Sequence, residues 1–275
     1  MPELPEVETV RRGIEPHVVG RTITAVHVHD ARLRWPVPPD FAAFALGKRI
    51  TEVSRRGKYL LLALGTDASG GRIIVHLGMS GRLNVLDDQP PLRKHDHIEI
   101  ELSGGLRLRY HDPRRFGAVL PWSADAPGHV LLDELGPEPF APEFNGDYLF
   151  QRSRGRRSPL KNFIMDGHIV VGAGNIYAAE ALFRAGLRPT RAAGKTTRAE
   201  YARLAQTVRE VLGDAIQQGG TTLRDFAGAH GEAGYFQQDL YVYGREDQPC
   251  RICGSIIKGL RLGNRASCYC PRCQH

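Results

Sequence analysis

The chain opens Met1-Pro2-Glu3-Leu4-Pro5-Glu6, and these few residues could by themselves assemble a covalent catalyst. Removal of Met1 would leave Pro2 as a secondary α-amine. Such an amine titrates near pH ~8, well below a lysine at ~10.4, so part of it is unprotonated at neutral pH without any burial. A helix starting directly behind it would lower that value further. Val7, Val10, Ile14 and Val18 recur at three- and four-residue steps, which predicts that helix and sets Glu3 and Glu6 at its start. An amine that attacks an aldehyde-level carbon gives an iminium, an electron sink for eliminating groups from neighbouring carbons. The same residues also fit ordinary helix capping, with proline near the start and acids in the first turn. Taken alone, the segment favours that plainer reading.

A second group gives the strongest local signal, set against a redox pair or a disulfide framework as alternatives. Cys250-Arg251-Ile252-Cys253, sixteen residues, then Cys270-Pro271-Arg272-Cys273 has the spacing of a tetrahedral Cys₄ site for one structural Zn²⁺ ion. Four thiolates close the metal's shell, so the ion would fold the tail and do no catalysis. Cys268 is left as an unassigned free thiol. Lys258, Arg261 and Arg265 lie between the knuckles and are expected to form the basic tip of a hairpin, either solvated or set against a phosphate.

The elements that must position these groups are legible from periodicity. Val26 and Val28, Tyr59 to Leu62 and Ile73 to Leu77 read as strands. Ile98, Ile100 and Leu102 alternate with His97, Glu99 and Glu101; Ser103-Gly104-Gly105 follows, then Leu106 and Leu108 alternate with Arg107 and Arg109. That pattern predicts a β-hairpin with one buried face. An antiparallel β-sandwich or barrel behind one helix is expected, ending near residue 125. The stretch from Leu135 to Phe144, with Pro137, Pro139 and Pro142, reads as a linker. Beyond it the period turns helical: Leu204, Val208, Val211, Leu212 and Ile216 share a face, Thr197 and Glu200 form a capping box, and Gly219-Gly220 stops the helix. Another helix is predicted after Val171-Gly172-Ala173-Gly174 with Asn175 as its N-cap, a place where backbone N–H groups favour a phosphate. Arg152, Arg154, Arg156 and Arg157 form a basic cluster before it. Phe116, in Asp112-Pro113-Arg114-Arg115-Phe116-Gly117, is either core or an apolar wedge for a base stack, and Met79 carries the same alternatives. The expected organisation is therefore α+β: residues 1–130 the N-terminal helix and sandwich, 131–150 a linker, 151–240 a helical domain and 241–275 the zinc finger.

Charge is uneven along the chain. The formal +7 arises as −2 over residues 1–150 and +9 over 151–275, an asymmetry that points to a polyanionic partner. No apolar run approaches a membrane span and the acidic start lacks the features of a signal peptide, so a cytoplasmic protein with no membrane partner is expected.

In order, these motifs resemble one family across essentially the whole chain, the bacterial formamidopyrimidine-DNA glycosylases, base-excision enzymes for oxidised purines. The resemblance rests on Pro2 to Glu6, Arg55 to Leu60, His76 to Gly81, Lys94 to His97, Asp112 to Gly117, Val171 to Tyr177, Gly219 to Leu223 and the Cys₄ tail. It implies a helix–two-turns–helix element in the helical domain and a monomer that works on double-stranded DNA near the nucleoid. It also implies roles: Pro2 the Schiff-base nucleophile at C1′, Glu3 the general acid for sugar opening, and Glu6 its support. Lys58 would be the proton donor for β-elimination and a phosphate contact, and Arg265 would be linked to δ-elimination. Met79, Arg114 and Phe116 would fill the gap left by the flipped nucleotide. His76, His95, Arg156, Lys161 and Asn175, together with Arg114, would contact DNA. A lesion-recognition loop is expected around Thr221 to Tyr235. Asn162-Phe163 departs from the Pro-Trp common in relatives, which bears on local packing. The competing readings are an endonuclease VIII-type enzyme for oxidised pyrimidines and a zinc-finger protein that grips damaged DNA without cutting.

Overall fold

The computed structural model describes residues 2–65, 70–87, 90–220 and 240–275; the expected lesion-recognition loop lies outside them. The chain divides into two compact units, the first running to Asp133 and the second taking in Glu134–Gln217 and the C-terminal segment to His275.

In the first unit the predicted apolar stripe builds helix α1 (Leu4–Val18), with Leu4, Val7, Val10, Ile14 and Val18 at most 1 % exposed. The strands are β1 (Ile23–Val28), β2 (Ile50–Arg56), β3 (Tyr59–Leu64), β4 (Arg72–His76), β5 (Arg82–Leu86), β6 (Asp96–Leu102), β7 (Arg107–His111) and β8 (Ala118–Trp122); the short helix α2 (Phe41–Ala45) falls between β1 and β2. They pair antiparallel as two four-stranded sheets, ordered β1-β6-β7-β5 and β2-β3-β4-β8. Alternate residues of both sheets meet in one core with the apolar face of α1: Ile98, Ile100 and Leu108 from one, Leu60, Leu62, Ile73 and Val75 from the other. Of the sandwich and the barrel that the alternation left open, this is the sandwich.

One expectation needs correcting. The β6–β7 hairpin has two covered faces, because His97, Glu99 and Arg109 are at most 3 % exposed. The polar face is an ion network: Glu99 and Arg109 are cross-strand partners, Arg109 Nε donates to Glu99 Oε2 at 2.7 Å, and Arg107 reaches both Glu99 and Glu101. Asp96 accepts from His111 Nδ1 at 2.8 Å, and the Arg109 guanidinium also donates to the carbonyls of Pro90 and Pro91. Alternation shows which residues avoid the apolar core; it does not show that the opposite side meets water.

The second unit begins with irregular backbone and then forms α3 (Gly146–Ser153), α4 (Leu160–Met165), α5 (Asn175–Arg184) and α6 (Arg198–Gln217). Thr197 and Glu200 close the predicted box at the head of α6, Thr197 N donating to Glu200 Oε2 at 2.8 Å and Glu200 N to Thr197 Oγ1 at 3.3 Å. Two turns over residues 166–174 separate α4 from α5, giving helix–two-turns–helix. The chain returns along α5, where the buried Glu180 carboxylate accepts the backbone N–H groups of Tyr241, Val242 and Tyr243 at 2.8–3.0 Å. A hairpin of β9 (Lys258–Leu262) and β10 (Arg265–Tyr269) follows, with β10 packed on α5. Cys268 is 8 % exposed and belongs to the core under this hairpin with Phe183, Val242 and Ile257. Among the described residues no helix is long and apolar enough to cross a membrane.

The ion network sets a stability test. Arg109→Met would take from the buried carboxylates of Glu99 and Asp96 the guanidinium they share, leaving Arg107 and His111 beside them, and should cost about 3 kcal/mol of unfolding free energy in urea, whereas Glu99→Leu with Arg109→Leu should recover much of that loss. Wild-type stability in the single variant would show that the buried charges are solvated by some other route.

Candidate active site and nucleic-acid-binding loops

Pro2 is buried immediately before α1. Glu3 is the N-cap and Glu6 stands at the third helical position, and the two form a capping box in which Glu3 N donates to Glu6 Oε2 at 2.7 Å. The plainer reading of these acids is thus realised in the backbone, yet both carboxylates are almost fully buried, at 2 % and 0 % exposure. A pair of acids placed for capping alone would be expected at the surface. Covalent connection puts Glu3 beside the Pro2 nitrogen, and Glu6 fixes Glu3 from one turn on.

Lys58 is delivered from a different direction. It is the second residue of a two-residue turn joining β2 to β3, where Arg56 pairs with Tyr59 and Gly57 adopts φ +56°. Glycine is favoured there because a side chain at that φ is strained. Arg55 ties this turn back to α1: its Nη1 donates to Gly57 O at 2.9 Å and its Nε to Glu8 Oε2 at 3.3 Å. Glu8 also takes Arg11 and Arg12. Burial would raise Glu8, but the hydrogen bonds from Arg11 and Arg12 and the charges of Arg11 and Arg55 outweigh it and hold the carboxyl below its usual value.

His76, the cross-strand partner of Tyr59, closes β4 with its ring 4.8 Å from the Tyr59 ring. Its Nδ1 accepts Gly78 N at 3.1 Å, so the proton sits on Nε2. Burial first, then the charges of Lys58 and Arg34, push its pKa down to about 4 against the weaker opposing pull of Asp112. At neutral pH His76 is therefore an uncharged N–H donor.

The Met79 and Phe116 loops share one carboxylate. Asp112 is fully buried; its Oδ1 accepts Ser80 Oγ at 3.1 Å and Arg114 N at 3.2 Å, and its Oδ2 accepts Gly117 N at 2.9 Å and Tyr110 OH at 3.3 Å. Asp followed by Pro suits the first two places of a tight turn, and Arg115 N donates to Asp112 O at 3.2 Å. Asp112 N in turn donates to the carbonyl of His95, which holds φ +81°. The loops meet so closely that a Cβ on Gly117 would lie 1.8 Å from Tyr110 OH, and one on Gly78 would lie 2.5 Å from the Phe116 carbonyl carbon. The tips point outward: Phe116 is 42 % exposed, so it is not core, and the Arg114 guanidinium lies over its ring at 4.9 Å. Met79 is half-buried.

In the second unit, Gly174 is the N-cap of α5 and Asn175 the first helical residue, which corrects the expected capping role of Asn175. The asparagine side chain instead accepts from Lys161 Nζ at 2.7 Å. Lys161 is 1 % exposed and also donates to Ser267 Oγ at 2.8 Å and Ala266 O at 3.2 Å. These bonds join α4, α5 and β10 from inside, so the ammonium is held within the unit rather than offered to solvent. Phe163, at the departure from the family pattern, is buried edge-on to Tyr201. The basic cluster is not uniform: Arg154 is spent on Thr196 O and the Phe150 ring, while exposed Arg156 reaches toward Asp166 at 3.9 Å. Arg265 follows the Gly263-Asn264 turn at the tip of the β9–β10 hairpin, beside a depression of about 510 Å³ lined also by Asn162, Met165 and Asp166. Lys258 pairs with Tyr269 at the far end and Arg261 with Ala266 on the strand, so Arg265 alone of the three expected cations occupies the tip.

The sulfur atoms of Cys250, Cys253, Cys270 and Cys273 lie within 4.8 Å of one another, with Cys250 to Cys273 at 3.9 Å and Cys253 to Cys270 at 3.4 Å. A tetrahedral zinc with Zn–S of ~2.3 Å requires edges of ~3.8 Å, so the donor set fits one ion. Gln274 mounts the knuckle: its Oε1 accepts Cys270 N at 2.9 Å and its Nε2 donates to Leu187 O at 2.8 Å beyond α5.

Residues 1–119 match the formamidopyrimidine-DNA glycosylase N-terminal domain, 135–227 the formamidopyrimidine-DNA glycosylase H2TH domain, and 247–275 a zinc finger found in FPG and IleRS. The chain belongs to the formamidopyrimidine-DNA glycosylase family. The glycosylase of Pseudomonas putida (strain GB-1) is 57 % identical over 274 residues, covering 100 % of both chains. The crystal structure of the MutM (FPG) protein of Thermus thermophilus is 40 % identical with a TM-score of 0.87, covering 99 % of this chain and 98 % of that one. A Lactococcus lactis FPG mutant in complex with Fapy-dG-containing DNA is 32 % identical with a TM-score of 0.90, covering 100 % of both. With the zinc-finger match and the sulfur geometry together, the four cysteines are the ligands of one structural zinc ion.

Within this family frame, the first unit brings together Lys58 with His76, and Met79 with Arg114, Phe116 and His95. The second brings together Lys161 with Asn175, and Arg156 with Arg265 through the depression that Asp166 lines. Sequence reading missed Asp112, Glu180 and Gln274 as organising residues. Asp before Pro in a glycine-closed loop was the one local signal for Asp112; Glu180 and Gln274 act on distant backbone that no spacing announces.

Two outcomes follow from this geometry. Asp112→Asn replaces one acceptor oxygen by a donor facing N–H or O–H groups. It should lower stability by about 1–3 kcal/mol and speed amide exchange at Arg114 and Gly117; unchanged exchange there would remove Asp112 as the anchor. His76 has its folded pKa, about 4, below its ordinary 6.5, so on acidification the unfolded chain takes the proton first. The neutral side chain's contribution is complete above about 6.5 and is lost as pH falls toward 4. The stability gap between wild type and His76→Gln should therefore narrow from pH 7 to pH 4.5 in urea titrations; a constant gap would place the His76 pKa elsewhere.

Proposed function

We propose that this protein excises oxidised purines, 8-oxoguanine and formamidopyrimidines, from duplex DNA and then cuts the strand, using Pro2 as the nucleophile. The observation that carries this reading is the pair of buried carboxylates at the root of α1 next to Pro2. With Met1 removed, the Pro2 nitrogen attacks C1′ of the flipped nucleotide and the C1′–base bond breaks, its electron pair leaving with the base, which takes up a proton in exchange for the one the amine nitrogen gives up. Glu3 delivers a proton to the sugar ring oxygen as the C1′–O4′ bond opens, and the nitrogen lone pair completes the iminium. Loss of the C2′ proton then expels the 3′ phosphate, with Lys58 as proton donor; loss of the C4′ proton expels the 5′ phosphate, the step assigned to Arg265. Water releases the enzyme. Glu6 acts one step back, holding the Glu3 backbone.

The remaining assignments belong to the same reading. Met79, Arg114 and Phe116 fill the gap, which offsets part of the few kcal/mol that unstacking costs. His76, His95, Arg156 and Asn175 contact the DNA, and Lys161, being internal, acts by holding Asn175 in place. The division into an N-terminal domain to about residue 130, a linker to 150, a helical domain to 240 and a zinc finger beyond is part of the proposal, as are a monomeric state and a place in the cytoplasm with the nucleoid. The sulfur-bound zinc folds the finger and takes no part in the chemistry.

The test is borohydride reduction of the purified protein on a duplex with one 8-oxoguanine opposite cytosine, with intact mass measured in parallel. A covalent adduct at Pro2 of a Met1-free chain is expected. Preferential attack on thymine glycol would point to the endonuclease VIII-type reading. A Met1-free protein that binds the duplex, traps nothing and leaves it uncut would instead be a damage-binding protein.

A further inference from the structure

Beside the Phe116 loop lies a depression of about 400 Å³ lined by Arg32, Leu33, Arg34, Arg114, Arg115 and Phe116. Four of the six are arginines, and of their side chains only Arg114 has been given a place on the DNA above; Arg34 has entered only through its charge on His76. The carboxylate at hand is Asp30, which is already committed: its Oδ2 meets Arg32 at 2.8 Å and Arg115 at 2.6 Å. Those two bonds hold its pKa far below the ordinary value, the Arg32 hydrogen bonds contributing most. Asp30 therefore acts as a clasp. It fastens the segment that carries Arg32 and Arg34 to the loop that carries Arg114 and Phe116, with Arg115 at φ +56° turned to receive it.

What remains is positive. Among the described residues no carboxylate pairs with the Arg34 or Arg114 guanidinium; Arg114 lies over the Phe116 ring, and Arg34 is exposed beside Trp35, itself 41 % exposed. Like charges gathered around a concave surface repel one another until an anion enters. Forked guanidinium donors match the tetrahedral oxygens of a phosphate. The arginines also share their rim with the exposed ring of Phe116, and Trp35 follows Arg34 in the chain, a combination that suits a phosphodiester carrying bases.

We infer that Arg32 and Arg34, together with Arg115, form a phosphodiester-binding pocket that grips the DNA backbone next to the gap filled by Arg114 and Phe116. This rests on the proposed function, which puts those two tips inside the duplex. The pocket touches backbone, so it fixes register and adds affinity without reading sequence or lesion.

Arg34 is the residue to change, because the described structure gives it no hydrogen bond or ion pair to lose and its substitution leaves the fold intact. Affinity of wild type, Arg34→Gln and Arg34→Lys would be measured on two duplexes, one with an abasic-site analogue and one undamaged, across a range of salt. Arg34→Gln should bind both about tenfold more weakly at physiological salt, and the slope of log K against log salt should shrink by about 0.9, the value for one phosphate contact. Arg34→Lys should restore the slope but not all of the affinity, since it keeps the charge and loses the fork. The rate of borohydride trapping at saturating enzyme should be that of wild type in both variants. Wild-type affinity and slope in Arg34→Gln would overturn the pocket, and so would an effect confined to the damaged duplex. Failure of the wild-type protein to trap on the lesion duplex would instead strike the proposed function, so the two readings fall separately.

Discussion

A reactive group at the end of a chain is held from one side only, and chain ends fray unless something ties them down. Everything in the first unit follows from how that problem is solved. Pro2 is followed within two residues by a helix whose apolar face is inserted into the sandwich core from its first turn, Leu4 being fully buried. The Glu3–Glu6 box then satisfies backbone donors that would otherwise be orphaned at the helix start. Because the two carboxylates cap the helix that begins behind Pro2, the position proposed for the nucleophile is fixed by the helix start itself. The cost is desolvation of two acids, which is tolerable only where backbone donors meet them.

The same economy appears at a second buried carboxylate. Asp112 gathers a serine hydroxyl, a tyrosine hydroxyl and two backbone N–H groups, and two loops that are distant in sequence become one rigid ledge. In the second unit Lys161 and Glu180 play the corresponding part, one joining the heads of helices to the zinc hairpin and the other holding the returning chain through three backbone N–H groups. In all these places a charge is buried against dipoles of the backbone or of neutral side chains, an arrangement that fixes geometry strictly because few others satisfy it.

Periodicity made α1, α6 and the β6–β7 hairpin legible, and pairwise spacing made the zinc site legible, because in each the partners are a few residues apart or share one repeating face. The sequence misled where partners come from far away. Glu99 and Arg109 alternate like solvent-facing residues but are covered by the segment at Pro90 and Pro91. Lys161 looks like a surface cation until Ser267, more than a hundred residues on, is placed beside it. Asn175 has the composition of a cap, but a stronger local demand, the ammonium of Lys161, takes its side-chain oxygen. Arg34 carried no motif, and only the clasp through Asp30 shows which loop it accompanies.

The way Asp112 holds its ledge separates two things that most loops confound. Its bonds go to the backbone N–H groups of Arg114 and Gly117, while the Arg114 and Phe116 side chains stand free of the anchor and lean mainly on each other. Side-chain identity at the tips is therefore decoupled from the persistence of the loop's shape. A change of tip residue leaves the anchoring bonds of the scaffold untouched. Gly78 and Gly117, pressed against neighbouring atoms, are by contrast closed to drift. The ledge is thus a fixed mount with replaceable tips.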